Sequence, residues 1–277
     1  EVTHAWDSER GSFQDAGLTN LWMVPANFIQ YQTPDAPFDG ENPDNSSPLG
    51  AASAVVSWAA EADPTLGFYI YEGWPEMAGV VGRFPPNSDG LREYHSFATG
   101  DYAEWYDAFV AGIKESVPDR TISLIPVSRV LSSVMMDTAL AELDAETFYV
   151  DDAPHGTSAL YLMAAMVTYN TIYNEPLPDG FRPPNTIAPE LRATFSMVRD
   201  AIWEKVAAFN AAEVSQAAVT PELDAPIDAP ITESITYQDP VAKPSLAMGL
   251  NGIADWSVQH PFLDLMKTAR PWVGHKG

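Results

Sequence analysis

Four short apolar runs set the limits on what this chain can fold into. They are LTNLWMVP (18–25), LGFYIYEGWP (66–75), TISLIPV (121–127) and TFYV (147–150). Each is short and rich in β-branched or aromatic residues, which suits buried strands. Stretches with helical spacing separate and follow them. These are LGAASAVVSWAAEA (49–62, stopped by Asp63-Pro64), YAEWYDAFVAGIKESV (102–117, with Asp101 as its expected cap), residues 128–143 and residues 156–173. Such alternation predicts an α/β domain around a largely parallel sheet. Apolar runs without strict polar alternation fit strands covered on both faces. Residues 34–48 and 76–100 read as loops, the second long, polar and carrying paired prolines.

One more amphipathic helix is expected at ELRATFSMVRDAIWEKVAAFN (190–210). The main domain is therefore placed at residues 1–210. Residues 211–245, which repeat proline, acidic residues and alanine, read as an extended linker. Residues 246–277 read as the start of a second, incomplete module. Hydrophobic residues make up 46% of the 277, enough for a sizeable core. The net charge of −24, from 14 Lys+Arg against 38 Asp+Glu, disfavours nucleic acid and anionic lipid as partners. No cysteine is present, so disulfides, thiolate metal sites and cysteine nucleophiles are excluded together. No apolar run is long enough for a transmembrane helix. The chain opens on Glu1 with no recognisable signal peptide, so the expectation is a removed leader or a piece of a longer chain.

In a parallel α/β sheet, ligands gather where the carboxyl ends of the strands meet the following loops. Asn27 follows the first run, Glu72 ends the second, and Asp151, Asp152 and His155 follow the last. A neutral imidazole can take a proton from a nucleophile and return it to a leaving group. It needs a carboxylate to hold its tautomer and stabilise its cation. Asp152 precedes His155 by three residues, a spacing that a tight turn can close. Pro154 would stiffen that turn, and Gly156 would relieve crowding at the helix start. The same residues also fit an ordinary helix cap beside a solvated histidine.

Other constellations compete. Glu72 with Asp151 or Asp152 could form a carboxylate pair for glycoside hydrolysis, with Tyr71 and Trp74 stacking on sugar. Asp151, Asp152, His155 and His95 offer donors for a divalent metal. Trp22 and Trp58 sit in apolar patterns and are expected in the core. Trp74, Trp105, Trp256 and Trp272 are free of such a commitment, which suits a non-catalytic carbohydrate-binding or structural module. His4, His260 and His275 are assigned to surface or packing.

The run DDAPHGTSALYLMAAMVTYNTIY, with Asp-x-x-His just before a final helix, resembles the last block of the SGNH (GDSL-like) hydrolase superfamily, in a secreted bacterial branch. The likeness extends over roughly residues 15–180. It implies a three-layer α/β/α sandwich with a flavodoxin-like sheet, here missing its first strand. It implies hydrolysis of carbohydrate esters or other acylated small molecules through an acyl-serine, with no metal or organic cofactor, in a secreted or periplasmic protein. By the resemblance His155 is the base, Asp152 its orienter and Asn27 the oxyanion-hole donor; Glu72 and Trp74, at the end of the second run, are expected to line the substrate cleft. Of the family's Gly-x-Asn-Asp, the run Pro25-Ala26-Asn27-Phe28 keeps only the Asn. The nucleophile block is missing: Gly100-Asp101 is followed by Tyr102, and Gly11-Ser12 follows charged residues. The expectation is a chain that starts inside the domain, beyond the nucleophile strand. The alternative is a complete relative that has lost the serine and only binds. On either view this chain alone is expected not to hydrolyse esters by the acyl-serine route.

Overall fold

A computed structural model describes residues 12–25, 31–38, 42–153 and 155–219. Strands β1 (Asn20–Met23), β2 (Gly67–Tyr71) and β3 (Ile122–Ile125) form a parallel sheet in the order β1-β2-β3. Leu21 lies opposite Phe68, and Phe68 opposite Ile122. Helix α1 (Pro48–Ala62) connects β1 to β2. Helices α2 (Ala78–Val81), α3 (Ser88–Thr99) and α4 (Asp101–Ser116) connect β2 to β3. Helices α5 (Val127–Asp137), α6 (Ser158–Tyr173), α7 (Pro189–Ala193) and α8 (Phe195–Val219) follow.

Side chains alternate across a strand, and here the alternation sorts the core into two clusters. Phe68, Ile70, Ile122 and Leu124 pack with Val56 and Ala59 of α1 and with Tyr106, Phe109 and Ile113 of α4. Tyr71 and Ile125, with the partly buried Trp22 and Tyr69, pack with residues of α5, α6 and α8. Helix α6 is apolar around most of its circumference, because α5, α8 and the end of β3 all contact it. Trp22 and Trp58 are half-buried against these clusters, and Trp58 tilts on Phe13 with ring centroids 4.9 Å apart. Trp105 is buried and donates its indole N–H to the Gln32 carbonyl at 2.6 Å.

Three local expectations are corrected. Residues 76–100 are not one loop but hold α2 and α3. The Asn87 side chain caps α3 by accepting from the Gly90 N–H at 2.9 Å, and Tyr94, His95 and Ala98 then fall on one buried face. The prolines and polar surface positions hid this period. Asp101 does not cap α4 but is its first residue, after Gly100. The run 147–150 is not a sheet strand. The amides of Thr147, Phe148 and Tyr149 are satisfied locally, at Asp144 and Ala145 carbonyls 2.8–2.9 Å away. What remains is a single antiparallel bridge between Tyr149 and Gly156. The described sheet accordingly has three strands where four apolar runs were read.

The single helix expected at 190–210 is instead two, α7 and α8, broken at Thr194, and α8 runs on to Val219, so residues 211–219 are helix and not linker; the rest of the expected linker and the expected second module, residues 220–277, lie outside the described residues. Val198, Ile202 and Val206 form the buried stripe of α8, while Val214 is 70% exposed. Ile202→Ala should therefore lower unfolding free energy in urea by about 2–5 kcal/mol. Val214→Ala should stay within about 0.5 kcal/mol of wild type.

Candidate functional site

The carboxyl end of β2 is held by a buried ion pair. The Glu72 N–H donates to the Ile125 carbonyl at 3.0 Å, extending the β2–β3 pairing by one residue. The Glu72 carboxylate accepts from the Arg129 backbone N–H and from Arg129 Nε, both at 2.7 Å. The rest of the guanidinium reaches Asp107 at 2.8 Å and the Ala103 carbonyl at 2.8 Å on α4. It also lies 5.5 Å from the Phe209 ring centroid on α8. Burial pushes the Glu72 carboxyl up to about 7, against the charge and hydrogen bonds of Arg129, which pull it down. Glu72 is thus not a carboxylate facing substrate. Both of its oxygens are committed to Arg129, which removes it from a cleft-lining role and from the glycoside-hydrolase pair.

The Asp-Asp-x-x-His run forms a closed turn between the Tyr149–Gly156 bridge and the head of α6. The Val150 N–H donates to the His155 carbonyl at 2.9 Å, and the Thr157 N–H to the Phe148 carbonyl at 2.8 Å. The turn is tied to α2, because the Ala78 N–H donates to the Asp152 carbonyl at 2.9 Å. Trp74 lies under it. A Cβ at Gly156 would be 2.9 Å from Leu160 Cδ2 and 3.3 Å from Trp74 Cζ2, so a larger residue would crowd both side chains. Trp74 itself is buried and tilts on Tyr161 at 5.5 Å. It supports the turn from below and does not present an open stacking face.

The carboxylate that reaches His155 belongs to Asp151, not Asp152. His155 Nδ1 lies 2.9 Å from Asp151 Oδ2 and 3.1 Å from Oδ1. The bridge folds the chain so that Asp151 faces back across the turn, and its Oδ1 also accepts from the Ala153 N–H at 3.1 Å. Asp152 contributes its backbone carbonyl to α2 and no described side-chain bond to the imidazole. The His155 side chain is 64% exposed, and Nε2 has no hydrogen-bond partner among the described residues. An exposed pair of this kind adds at most about 1 kcal/mol to stability. Asn27 and Pro154 lie outside the described residues, as do His4, His260 and His275.

His95 is remote from any such role. It is buried on α3, and its Nδ1 lies 3.1 Å from Ser132 Oγ on α5. Its ring meets Tyr94 edge-on at 5.4 Å. Among the described residues no three His, Cys, Asp or Glu side chains are grouped to hold a metal ion. Sequence reasoning missed Arg129, although a lone cation inside the apolar helical run VSRVLSSVMM is the usual mark of a buried partner for a carboxylate. Comparison of the chain with protein-family models, with curated proteins and with solved structures returned no match.

Two outcomes follow from the buried groups. Burial pulls the His95 imidazole down to about 4. Between its ordinary value of 6.5 and 4 the unfolded chain binds the proton more tightly. Stability should then fall by about 3 kcal/mol as pH drops through that window. Glu72 acts in the opposite direction, since its raised carboxyl loses stability as pH rises from 4.5 to about 7. Urea unfolding of wild type and His95→Gln at stepped pH separates the two: only wild type should show the histidine's acid loss. Arg129→Met should cost about 3–5 kcal/mol near pH 8, because it leaves a buried carboxylate unpaired. The same substitution should cost less near pH 5, where Glu72 can take up a proton.

Proposed function

We propose that the Asp151–His155 pair is the general-base half of an ester-hydrolase site acting on acylated carbohydrate. The single observation behind this reading is the geometry of the imidazole. Asp151 engages Nδ1 at 2.9 Å, on an exposed turn tied to α2 and resting on Trp74. In the acyl-transfer step Nε2 accepts the proton of the attacking hydroxyl as that oxygen adds to the ester carbonyl. It then returns the proton to the departing sugar oxygen. Asp151 keeps Nδ1 protonated and stabilises the imidazolium between those events.

Residues 151–173 also resemble the last block of SGNH hydrolases, in which the attacking hydroxyl is a serine; that block's Asp-x-x-His spacing falls on Asp152, so the resemblance supports the role of His155 and not that of Asp151. In this reading the two core clusters are the two outer layers' contacts with a three-layer α/β/α sandwich. Asn27 remains the proposed oxyanion donor. The setting is proposed to be secreted or periplasmic. No described helix is long and apolar enough to cross a membrane.

The test is turnover of p-nitrophenyl acetate and acetylated xylan by the full-length gene product. His155→Ala should lower kcat/KM by about 10²-fold or more, and Asp151→Asn by a comparable factor. Asp152→Asn should stay within about three-fold, because its side chain does not orient the ring. A wild type without ester turnover, or a His155→Ala variant close to wild type, contradicts the proposal. Glycan affinity without turnover would favour the binding-module reading.

A further inference from the structure

Next to the histidine turn lies a buried polar cluster that the proposed chemistry does not use. His95 is 4% exposed on α3, and its ring's only hydrogen bond among the described residues joins Nδ1 to Ser132 Oγ on α5 at 3.1 Å. The ring centroid lies 5.4 Å from that of Tyr94 and 6.5 Å from that of Tyr149. Tyr94 and Tyr149 meet edge-on at 5.5 Å. Every support of the turn adjoins this cluster. Tyr149 is the residue whose bridge to Gly156 closes the turn. The Tyr94 hydroxyl donates at 2.8 Å to the carbonyl of Pro75, the chain neighbour of Trp74. Helix α2, whose Ala78 N–H holds the Asp152 carbonyl, packs on α3.

This setting suits a neutral imidazole and not a charged one. A cation sealed among tyrosine rings, with one hydroxyl beside it, loses the solvation that water would give. The groups around it do not make up that loss. Tyr94, Tyr149 and Tyr102 of α4 stay neutral, because burial pushes their hydroxyls up. Helix α2 carries no titratable residue. On α5, Arg129 is committed to Glu72 and Asp107, and Asp137 is paired with Lys205. Asp89, Arg92 and Glu93 of α3, Asp101 and Glu104 of α4, and Asp144 and Glu146 ahead of Tyr149 are exposed. His95 therefore takes up a proton most readily where it reaches water. The elements that α3 mainly contacts, α2, α4 and α5, are helices. His95 can reach water when α3 parts from α5 and Tyr149 while the sheet stays paired.

We infer that His95 is an acid-sensitive switch built against the histidine turn: its protonation parts α3 from α5 and Tyr149, and the turn that holds Asp151 against His155 comes apart with them. The closed form binds the proton more weakly than the open one, so falling pH favours opening and rising pH restores the closed turn. Assembly of the turn is at stake here and not its chemistry, so ester turnover is not needed to test it.

The experiment is hydrogen exchange of the full chain, read by mass spectrometry near pH 7 and near pH 5 and corrected for intrinsic rates. It compares wild type with His95→Gln, His95→Asn and His155→Gln. In wild type, segments 88–99 and 147–157 should share one opening constant, larger than that of β2 and β3. It should rise by about ten-fold or more between the two conditions. The rise should vanish in both His95 variants and persist in His155→Gln, which removes the histidine on the turn itself. Opening no easier in the turn than in the strands, no rise in wild type, a rise kept by a folded His95 variant, or a rise lost in His155→Gln overturns the inference. If neither His95 variant folds, the wild-type and His155→Gln profiles still decide it. A wild type without ester turnover that shows this pattern upholds the switch and overturns the hydrolase reading alone.

Discussion

The buried pair of Glu72 and Arg129 is the interaction on which the carboxyl end of the sheet depends. A fully buried carboxylate has to be satisfied, and here one guanidinium and one backbone N–H do it. The pair thereby joins the end of β2 to the first turn of α5. Through Asp107 and the Ala103 carbonyl it reaches α4, and through the Phe209 ring it reaches α8. Elements from both core clusters meet at this one cation. The residues just past Glu72 are placed as a consequence, among them Trp74, on which the histidine turn rests.

The turn itself is over-determined by its backbone. It is closed by the Tyr149–Gly156 bridge, tied to α2 through the Asp152 carbonyl, and floored by Trp74. The Asp151 side chain adds a further restraint, accepting from the Ala153 N–H at 3.1 Å, while the His155 ring meets only Asp151 among the described residues. The contrast with His95 is instructive. That histidine is also hydrogen-bonded, to Ser132, but burial keeps it neutral and closed to substrate.

The sheet and most helices could be read from the sequence, because β1, β2 and β3 are short apolar runs closed by breakers, and α1, α4 and α6 are longer apolar-rich stretches. Where two signals competed, reading failed. In 76–100 the prolines and charges outweighed the Tyr94, His95 and Ala98 stripe. In 147–150 four apolar-leaning residues looked like a strand, though local carbonyls had already taken their amides. At the site, the presence of an aspartate–histidine turn was legible, but which aspartate faces the ring was not. Spacing alone favours Asp152; the bridge that selects Asp151 is the turn's own backbone pairing, which no residue spacing announces. Glu72 was rightly placed at a strand end, yet its partner lies 57 positions away, and although a lone cation in an apolar run marks Arg129 as paired, nothing local says with which carboxylate.

The central claim is that Asp151 holds His155 with Nδ1 protonated and Nε2 open to a reacting group. The measurement that bears on it most directly is the tautomer of His155 by long-range nitrogen–proton NMR at neutral to mildly alkaline pH. The account predicts a dominant Nδ1–H form that persists in Asp152→Asn and collapses toward the Nε2–H form in Asp151→Asn. A dominant Nε2–H form in wild type, or a tautomer indifferent to Asp151, would contradict it.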